Sequence, residues 1–213
     1  MTPDPEAILL VGGGGHCRSV IDVLEAAGRR IAGVVERPGS GVSEVLGHPV
    51  LGTDEDLPAL ARLYRFALIT VGQLESPQPR MRLAALLKEL GFSFPAVASP
   101  LARVSPHASL GQGTVVHHFA VVNAGARVGA HCILNTRALV EHDAAVGDFC
   151  HVSTGAVLNG GTSVGEGCFI GSGAICRDNI SIGAGCFVAM GVRVLAPLAP
   201  GARLTPGNIR GNT

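Results

Sequence analysis

The sequence of 213 residues is poor in aromatic side chains and has no net charge. It contains no tryptophan, one tyrosine and seven phenylalanines, and 16 Lys and Arg balance 16 Asp and Glu. The balance argues against a chain that binds nucleic acid or an anionic membrane through its net charge. Hydrophobic residues still make up 47% of the chain. A sizeable core is therefore available, and small aliphatic side chains must fill most of it.

Two further absences bear on localisation. No apolar run approaches the ~18 residues that a membrane-spanning helix needs. The first residues, MTPDPEAILLVGGGG, lack the basic start and the apolar stretch of a secretory signal. We therefore expect a cytoplasmic protein without a membrane or nucleic-acid partner.

Glycine is abundant, with 30 residues, and the second half of the chain repeats every six positions. Stepping by six from Val104 to Val194 gives sixteen residues, of which fifteen are Val, Leu or Ile. Neither a helix nor an ordinary strand has this period, whereas a parallel β-helix with three six-residue sides does. The aliphatic residue and a small residue four positions later should both point inward. Gly or Asn often follows the aliphatic residue, as at Gly147, and is expected there to accommodate the corner dihedrals.

Four cysteines are spaced by one 18-residue coil: Cys132, Cys150, Cys168 and Cys186. The spacing predicts that they stack in one inward column. A metal ladder or disulfides would be a functional interpretation. We favour thiols that fill positions occupied elsewhere by Ala and Thr, and we predict no metal site.

The first hundred residues predict a βαβ unit. Strands at Ile8–Val11 and Ile31–Val35 flank a loop at Gly12–Gly15 and a helix over residues 17–27. Backbone N–H groups and the helix N-terminus at such a loop favour phosphate. A third strand over residues 66–71 and a helix over about 79–90 should follow. We predict two domains, residues 1–98 and 99–213.

The glycine loop departs from the dinucleotide fingerprint. His16 and Cys17 stand where the third glycine of G-x-G-x-x-G would lie, which weakens the case for NAD. Glu36 follows the second strand, where an acid that binds ribose is expected. A nucleotide therefore remains a candidate ligand of this domain. The alternative is a small α/β domain that binds nothing and assists assembly.

Three features together resemble a known family: "VGGGGHCRSVIDVL" near the start, "LNTRALVEHDAAVGDFCHVSTGAVLNGGTSVGEGCFIGSGA" in the middle, and the hexapeptides. The chain is similar to the bacterial sugar O- and N-acetyltransferases, which include the sialic acid O-acetyltransferases and the enzymes of nucleotide-linked 4-amino sugars. The resemblance implies an α/β N-terminal Rossmann-like domain followed by a left-handed parallel β-helix of hexapeptide repeats.

The resemblance also implies roles for individual residues. His142 would be the general base, Asp143 its supporting acid, and His151 and Asn135 part of the acetyl and substrate pocket. Acetyl-CoA would lie in a groove between neighbouring β-helices of a homotrimer. Its contacts would come from Gly160, Gly161, Ser172 and Met190. The nucleotide sugar would contact Gly12, Gly14, Gly15, His16, Glu36, Arg37, Gly72 and Gln73.

The expected activity is therefore transfer of acetyl from acetyl-CoA to the 4-amino group of a nucleotide-linked deoxy sugar. O-acetylation of sialic acid or another free sugar is the alternative within transferases. An NAD-dependent oxidoreductase and a non-enzymatic scaffold fit the residues less well. Zinc hydration is disfavoured because no two histidines are five residues apart. The other coil histidines, His107, His117, His118 and His131, are expected to be solvated.

Overall fold

The computed structural model describes residues 4–207. Contacts divide the chain into two compact units. Unit 1 comprises the chain up to Gly72 together with Gln78–Val97, and unit 2 comprises Gln73–Pro77 together with the chain from Ala98 onward. The excursion of Gln73–Pro77, called here the 73–77 segment, was not anticipated from the sequence. The division into domains 1–98 and 99–213 stays a prediction.

Unit 1 is an α/β unit around a mostly parallel sheet. Its strands are β1 (Ile8–Val11), β2 (Ile31–Val35), β3 (Glu44–Val45), β4 (His48–Gly52) and β5 (Phe66–Ile69). Its helices are α1 (Gly15–Ala26), α2 (Leu57–Leu60) and α3 (Gln78–Glu89), with a 3-10 turn at Asp54–Asp56.

The sheet order in unit 1 is β3-β4-β2-β1-β5, with β3 antiparallel to β4 and the other pairs parallel. All four residues of β1 are buried, as expected of a central parallel strand. Helix α1 begins at Gly15, two residues before the predicted start, with Gly14 as N-cap. Strand β5 ends at Ile69, two residues before its predicted end.

Unit 2 is a left-handed parallel β-helix with three flat faces, which confirms the predicted fold class. Face 1 contains β7 (Arg103–Val104), β10 (Val121–Val122), β13 (Leu139–Val140), β16 (Val157–Leu158), β19 (Ile175–Cys176) and β22 (Arg193–Val194). Face 2 contains β8 (Ser109–Leu110), β11 (Arg127–Val128), β14 (Ala145–Val146), β17 (Ser163–Val164) and β20 (Ser181–Ile182). Face 3 contains β6 (Val97–Ala98), β9 (Val115–Val116), β12 (Ile133–Leu134), β15 (His151–Val152), β18 (Phe169–Ile170), β21 (Phe187–Val188) and β23 (Arg203–Leu204).

The register gives coils of 18 residues, as Val122 pairs with Val140 and Val140 with Leu158, and the last coil shortens to 16, where Phe187 pairs with Arg203. The periodic aliphatic residues from Val116 to Val194 are all buried, and the small residues between them complete the core. The chain runs around the coil in the order face 3, face 1, face 2, so each coil has three corners.

The predicted reason for the glycines after the aliphatic residue was wrong. The left-handed backbone lies two positions later, for example at Asp143 with φ 59° and Gly161 with φ 66°. Gly147 lies outside that region, and a Cβ there would come within 2.6 Å of the backbone nitrogen of Glu166 in the next coil. These glycines therefore provide room for the neighbouring coil.

The cysteine column is present and carries no disulfide among the described residues. Each thiol donates to a carbonyl of the following coil, as Cys150 Sγ does to Gly165 O at 3.0 Å. Thr114, one coil before Cys132, makes the equivalent bond to Gly129 O at 2.7 Å. The neighbouring thiols Cys132 and Cys168, together with burial, raise the pKa of Cys150 well above its ordinary value. The column therefore consists of packed thiols that donate to backbone carbonyls.

The helices of residues 4–207 include none that is long and apolar enough to cross a membrane.

Candidate active site

A cleft of about 560 Å³ lies in unit 1 at the carboxyl ends of its parallel strands. The loop between β1 and α1 forms one side, and Glu36, Arg37 and Gly72 also line it. Ligands of open α/β sheets bind at such an edge. The cleft brings together Gly12, Gly14, Gly15, His16, Glu36, Arg37 and Gly72, which are all but one of the residues expected at the nucleotide.

The glycines of the loop serve two different needs. Gly12 has φ +110°, and a Cβ there would come within 2.6 Å of Val71 Cγ2, so the fold itself requires this glycine. At Gly14 and Gly15 a Cβ would meet nothing within 4 Å. Both are exposed to the cleft, with Gly15 as the first residue of α1. They leave backbone open to a ligand at a helix N-terminus, where anions are favoured.

Glu36 is held against the loop. One carboxylate oxygen accepts from Gly13 N at 2.5 Å and the other from Arg37 N at 2.9 Å. The carboxylate therefore lies at the floor of the cleft beside the glycines. Arg37 has an exposed side chain, and its Nε lies 3.9 Å from Oε1 of Glu36.

Gln73, expected beside Gly72 at the nucleotide, is buried in unit 2. Its side-chain Nε2 lies 3.5 Å from Gly167 O and 3.4 Å from Cys168 O. Its backbone carbonyl lies 2.7 Å from Nδ1 of His151. This placement gives Gln73 a role in the β-helix and does not support its assignment to the nucleotide.

His142 and Asp143 lie together at the corner between faces 1 and 2. His142 Nδ1 is 3.0 Å from Asp143 Oδ2, and both side chains are largely exposed, at 64% and 74%. The carboxylate can only accept, so Nδ1 carries the proton in the neutral ring and Nε2 keeps a lone pair. Nε2 faces Gly160 in the next coil. An imidazole in this state can take a proton from a nucleophile.

The carboxylates around His142 stabilise its charged form. The hydrogen bond to Asp143 is the largest cause that raises the pKa of His142 above its ordinary value, and the charges of Glu141 and Asp178 add to it. Asp178 lies two coils above His142 in the same column. It was not singled out from the sequence, although a spacing of two 18-residue coils would have revealed it.

His151 and Asn135 form a second group at the corner between faces 3 and 1. His151 is 7% exposed. Because the carbonyl of Gln73 can only accept, Nδ1 of His151 donates to it, and Asn135 Nδ2 lies 3.4 Å from Nε2. Asn135 Oδ1 accepts from Thr136 N at 2.7 Å, which fixes the amide in that orientation. The arrangement suits a neutral, immobile ring.

The residues expected at CoA are divided between these two corners. Gly160 and Gly161 lie at the His142 corner, and Gly161 N donates to His142 O at 3.0 Å. Ser172 and Met190 lie at the His151 corner, where Ser172 Oγ is 3.0 Å from Ser153 Oγ. Met190 is 72% exposed. A single copy therefore presents the expected catalytic and cosubstrate residues on both edges of face 1.

Two of the histidines predicted to be solvated are buried. His117 is 1% exposed, and His131 is 5% exposed and stacks on Phe149 with ring centroids 4.9 Å apart. His118 is half-buried with Nδ1 2.6 Å from Ser99 Oγ, and His107 is exposed. Phe149 follows His131 by 18 residues, so it lies in the same column and covers the ring. The corner position of His131 alone did not predict this packing.

No group of three or more His, Cys, Asp or Glu within residues 4–207 has the geometry to hold a metal ion.

Family comparisons agree with the two-part architecture. Residues 7–84 match the PglD N-terminal domain, and residues 161–196 match the hexapeptide repeat of succinyl-transferase. Comparison with curated proteins found no match.

Several solved structures are similar over nearly the whole chain. PerB from Caulobacter crescentus, solved with CoA and GDP-perosamine, is 33% identical, with 95% of each chain covered and a TM-score of 0.88. The acetyltransferase domain of PglB from Neisseria gonorrhoeae is 32% identical, with 93% of this chain and 95% of that chain covered and a TM-score of 0.85. WeeI from Acinetobacter baumannii, at 22% identity and a TM-score of 0.85, shares the fold.

The likeness thus extends over both units, with an identity above 30% across nearly the whole chain. The chain is an acetyltransferase of the family that joins a PglD-type N-terminal domain to a left-handed β-helix of hexapeptide repeats.

Proposed function

We propose that this acetyltransferase transfers the acetyl group of acetyl-CoA to the 4-amino group of a nucleotide-linked amino-deoxy sugar. His142 is the general base. The observation that carries the proposal is the His142–Asp143 pair, whose Nδ1 to Oδ2 distance is 3.0 Å and whose Nε2 is turned outward from the carboxylate. The similar enzyme PerB, which was solved with CoA and GDP-perosamine, supports the substrate class.

The chemistry is direct acyl transfer. The sugar amine attacks the thioester carbonyl, and Nε2 of His142 takes the proton that the amine loses. Asp143 holds the ring and stabilises the imidazolium that forms. Collapse of the tetrahedral intermediate breaks the C–S bond, and the imidazolium returns the proton to the departing thiolate. A positioned base of this kind contributes typically ~10²–10⁴-fold.

The cleft of unit 1 is the proposed site of the nucleotide. Exposed backbone at Gly14 and Gly15 and the start of α1 offer donors to a diphosphate. Glu36 lines this cleft and follows β2, which is where an acid that binds ribose is expected. A free sugar such as sialic acid would give these donors no phosphate to bind, which favours a nucleotide-linked acceptor.

We further propose that the enzyme works as a homotrimer with acetyl-CoA between neighbouring β-helices. Between Arg103 and Arg193 at its ends, the outward column of face 1 is aliphatic: Val121, Leu139, Val157 and Ile175. The same column on face 2 is Ser109, Arg127, Ala145, Ser163 and Ser181. Because face 1 separates the His142 corner from the Ser172 and Met190 corner, a groove between two copies could contact both groups at once. A homotrimer supplies three such grooves.

The activity is tested by CoA release from acetyl-CoA with UDP-, GDP- and dTDP-linked 4-amino sugars beside free sialic acid. We expect turnover with at least one nucleotide-linked amino sugar and none with sialic acid. Turnover with sialic acid alone would make the enzyme an O-acetyltransferase. The acetylated atom is identified by a product whose mass has risen by one acetyl group and which no longer reacts with an amine-reactive label.

The assembly is tested by light scattering at micromolar protein. A trimeric mass is expected for the wild type and a lower mass for Val157→Asp, which places a charge in the apolar column of face 1. Ser163→Asp, at the equivalent place on face 2, is the matched control. A monomeric wild type that turns over at full rate would contradict the proposal.

A further inference from the structure

The corner that carries His142 repeats once per coil, and the residues at the place of His142 differ in whether they have a Cβ atom. The column through His142 consists of Pro106, Ala124, His142, Gly160 and Asp178. Four of its five members have a Cβ, so the coil accepts side chains at this place. Gly160 is also outside the left-handed region of the backbone. Neither the backbone conformation nor the coil geometry therefore requires glycine at position 160.

Space for the imidazole does require it. A Cβ on Gly160 would come within 2.6 Å of Nε2 and 2.7 Å of Cε1 of His142. At Gly147, by contrast, the nearest atom is backbone, Glu166 N at 2.6 Å. Around Gly160 the closest atoms all belong to the His142 ring. A methyl group there would therefore displace the ring and leave the coil in place.

Asp143 has the same relation to the coil before it. Its Oδ1 lies where a Cβ of Gly125 would be. Gly125 has φ +76° and Asp143 has φ 59°, so this corner position is left-handed in both coils, and Asn179 also occupies it, with φ 56°. The pair is thus bounded by one glycine below the carboxylate and another above the imidazole.

We infer that Gly160 and Gly125 are positioning residues for the proposed base, because each leaves empty the volume into which one member of the His142–Asp143 pair extends. The inference rests on the proposed function for its kinetic consequence and on geometry alone for the placement of the ring. Gly160 acts on the imidazole and Gly125 on the carboxylate. Neither needs to touch the sugar to affect the rate.

The first variant is Gly160→Ala, which keeps the backbone N–H and adds only the methyl group that Ala124 already shows to be compatible with the coil. We expect kcat to fall by roughly tenfold to a hundredfold, since a misplacement of about 1 Å can cost that much. The thermal midpoint and the KM for the nucleotide sugar should stay close to those of the wild type. Unchanged kcat would overturn the inference.

A double-mutant cycle separates an effect through His142 from a general one. In the His142→Ala background, Gly160→Ala should change the residual rate by less than about twofold, because the ring it displaces is gone. An equal loss in both backgrounds would show that Gly160 acts independently of His142. If His142→Ala itself keeps wild-type activity, the proposed base is wrong, and this result is distinct from a failure of Gly160→Ala.

A readout without turnover tests the placement directly. The Hε1 resonance of His142, identified by its loss in His142→Ala, is followed through a pH titration. The charged groups that face the ring are Glu141, Asp143 and Asp178. A ring displaced by Gly160→Ala loses its hydrogen bond to Asp143, so its midpoint should move to lower pH. A midpoint equal to that of the wild type would contradict the inference whatever the enzyme acetylates.

Gly125→Asn addresses the other side of the pair. Asparagine suits the left-handed backbone, as Asn179 shows at the same place two coils after Asp143. The side chain of an asparagine at position 125 would compete with the Asp143 carboxylate for space. We expect the same direction of change as for Gly160→Ala. Gly155→Asn is the matched control, since Gly155 has φ +66° and a Cβ there meets nothing within 4 Å. Equal effects of the two asparagine variants would assign the loss to backbone strain.

Discussion

Backbone lines the cleft of unit 1, whereas side chains at a corner form the candidate catalytic group of unit 2. Glycine N–H groups and the start of α1 line a concave cleft, which has a volume of about 560 Å³ and lies within one copy of the chain. His142 and Asp143 instead stand on the convex edge of a coil with 64% and 74% of their surface exposed. The first arrangement can hold a ligand without help. The second gains a defined environment only when another molecule covers it.

The difference has an electrostatic consequence. Water screens an exposed ion pair, so the His142–Asp143 interaction in an isolated copy is weak. Covering the corner lowers the local dielectric constant and strengthens the same contact at unchanged distance. Binding of the nucleotide sugar in unit 1 and chemistry in unit 2 should therefore respond differently to mutation.

Replacing the base should have the largest effect. We expect His142→Ala to lower kcat by ~10²–10⁴, with little change in KM for acetyl-CoA, because the residue acts on the transition state. Affinity for the nucleotide sugar, measured by calorimetry, should be unchanged. His107→Ala removes another exposed histidine from the same corner of the coil and serves as control. Activity of His142→Ala within about threefold of wild type would remove His142 from the mechanism.

The converse variant is Gly15→Val. A side chain there meets nothing in the free protein, so the fold should be retained and the clash should arise only with the ligand. We expect Kd for the nucleotide sugar to rise at least about tenfold, the equivalent of about 1.4 kcal/mol. Acetyl-CoA affinity should be unaffected. Equal weakening of both ligands would refute the assignment of the nucleotide to unit 1 and the cosubstrate to unit 2.

Asp143→Asn sharpens the role of the carboxylate. In the wild type the carboxylate raises the pKa of His142, and the neutral ring is the active base, so kcat falls as pH drops through that pKa. Without the negative charge the pKa is lower, and the acidic limb of the pH–rate profile should move to lower pH. We expect kcat on the plateau to drop by about tenfold, since the imidazolium loses its counter-charge. A limb at the wild-type pH would show that Asp143 does not set this ionisation.

The smallest effect is expected in the interior of the coil, far from either ligand. Cys150→Thr places a hydroxyl where the thiol donates to Gly165 O, as Thr114 does for Gly129 O two column positions earlier. We expect a loss of about 1 kcal/mol or less, as for other swaps that conserve volume. Thermal unfolding and kcat of the variant provide the measurement. A large loss of activity would point to a function for the thiol column.

Sequence periodicity predicted unit 2 better than unit 1. The period of six specified the inward residues from Val116 to Val194 because one rule, burial of an aliphatic residue, repeats without interruption. It did not predict that Gln73 would be buried beside His151, since that contact joins residues that are 78 apart and belongs to no repeat. Unit 1 has no repeat, and the predicted start of α1 and the predicted end of β5 were each wrong by two residues.

The candidate catalytic pair could be located from "EHD" by resemblance, whereas its surroundings depended on stacking. Asp178 and Gly160 lie in the column of His142 but far from it in sequence. The buried state of His117 and His131 depends on neighbours in other coils, which a corner position taken alone does not reveal.

The 73–77 segment has a consequence for the order in which the protein is made. Gln73 is synthesised 78 residues before His151 and 94 residues before Gly167, two of its partners in the β-helix. At roughly 5–20 residues per second, the delay before those partners leave the ribosome is about 4–19 seconds. The segment therefore waits, already attached to a cleft-lining residue, until the fourth coil is finished. Synonymous changes that slow translation between codons 73 and 167 would lengthen that wait without altering a single contact of the finished enzyme.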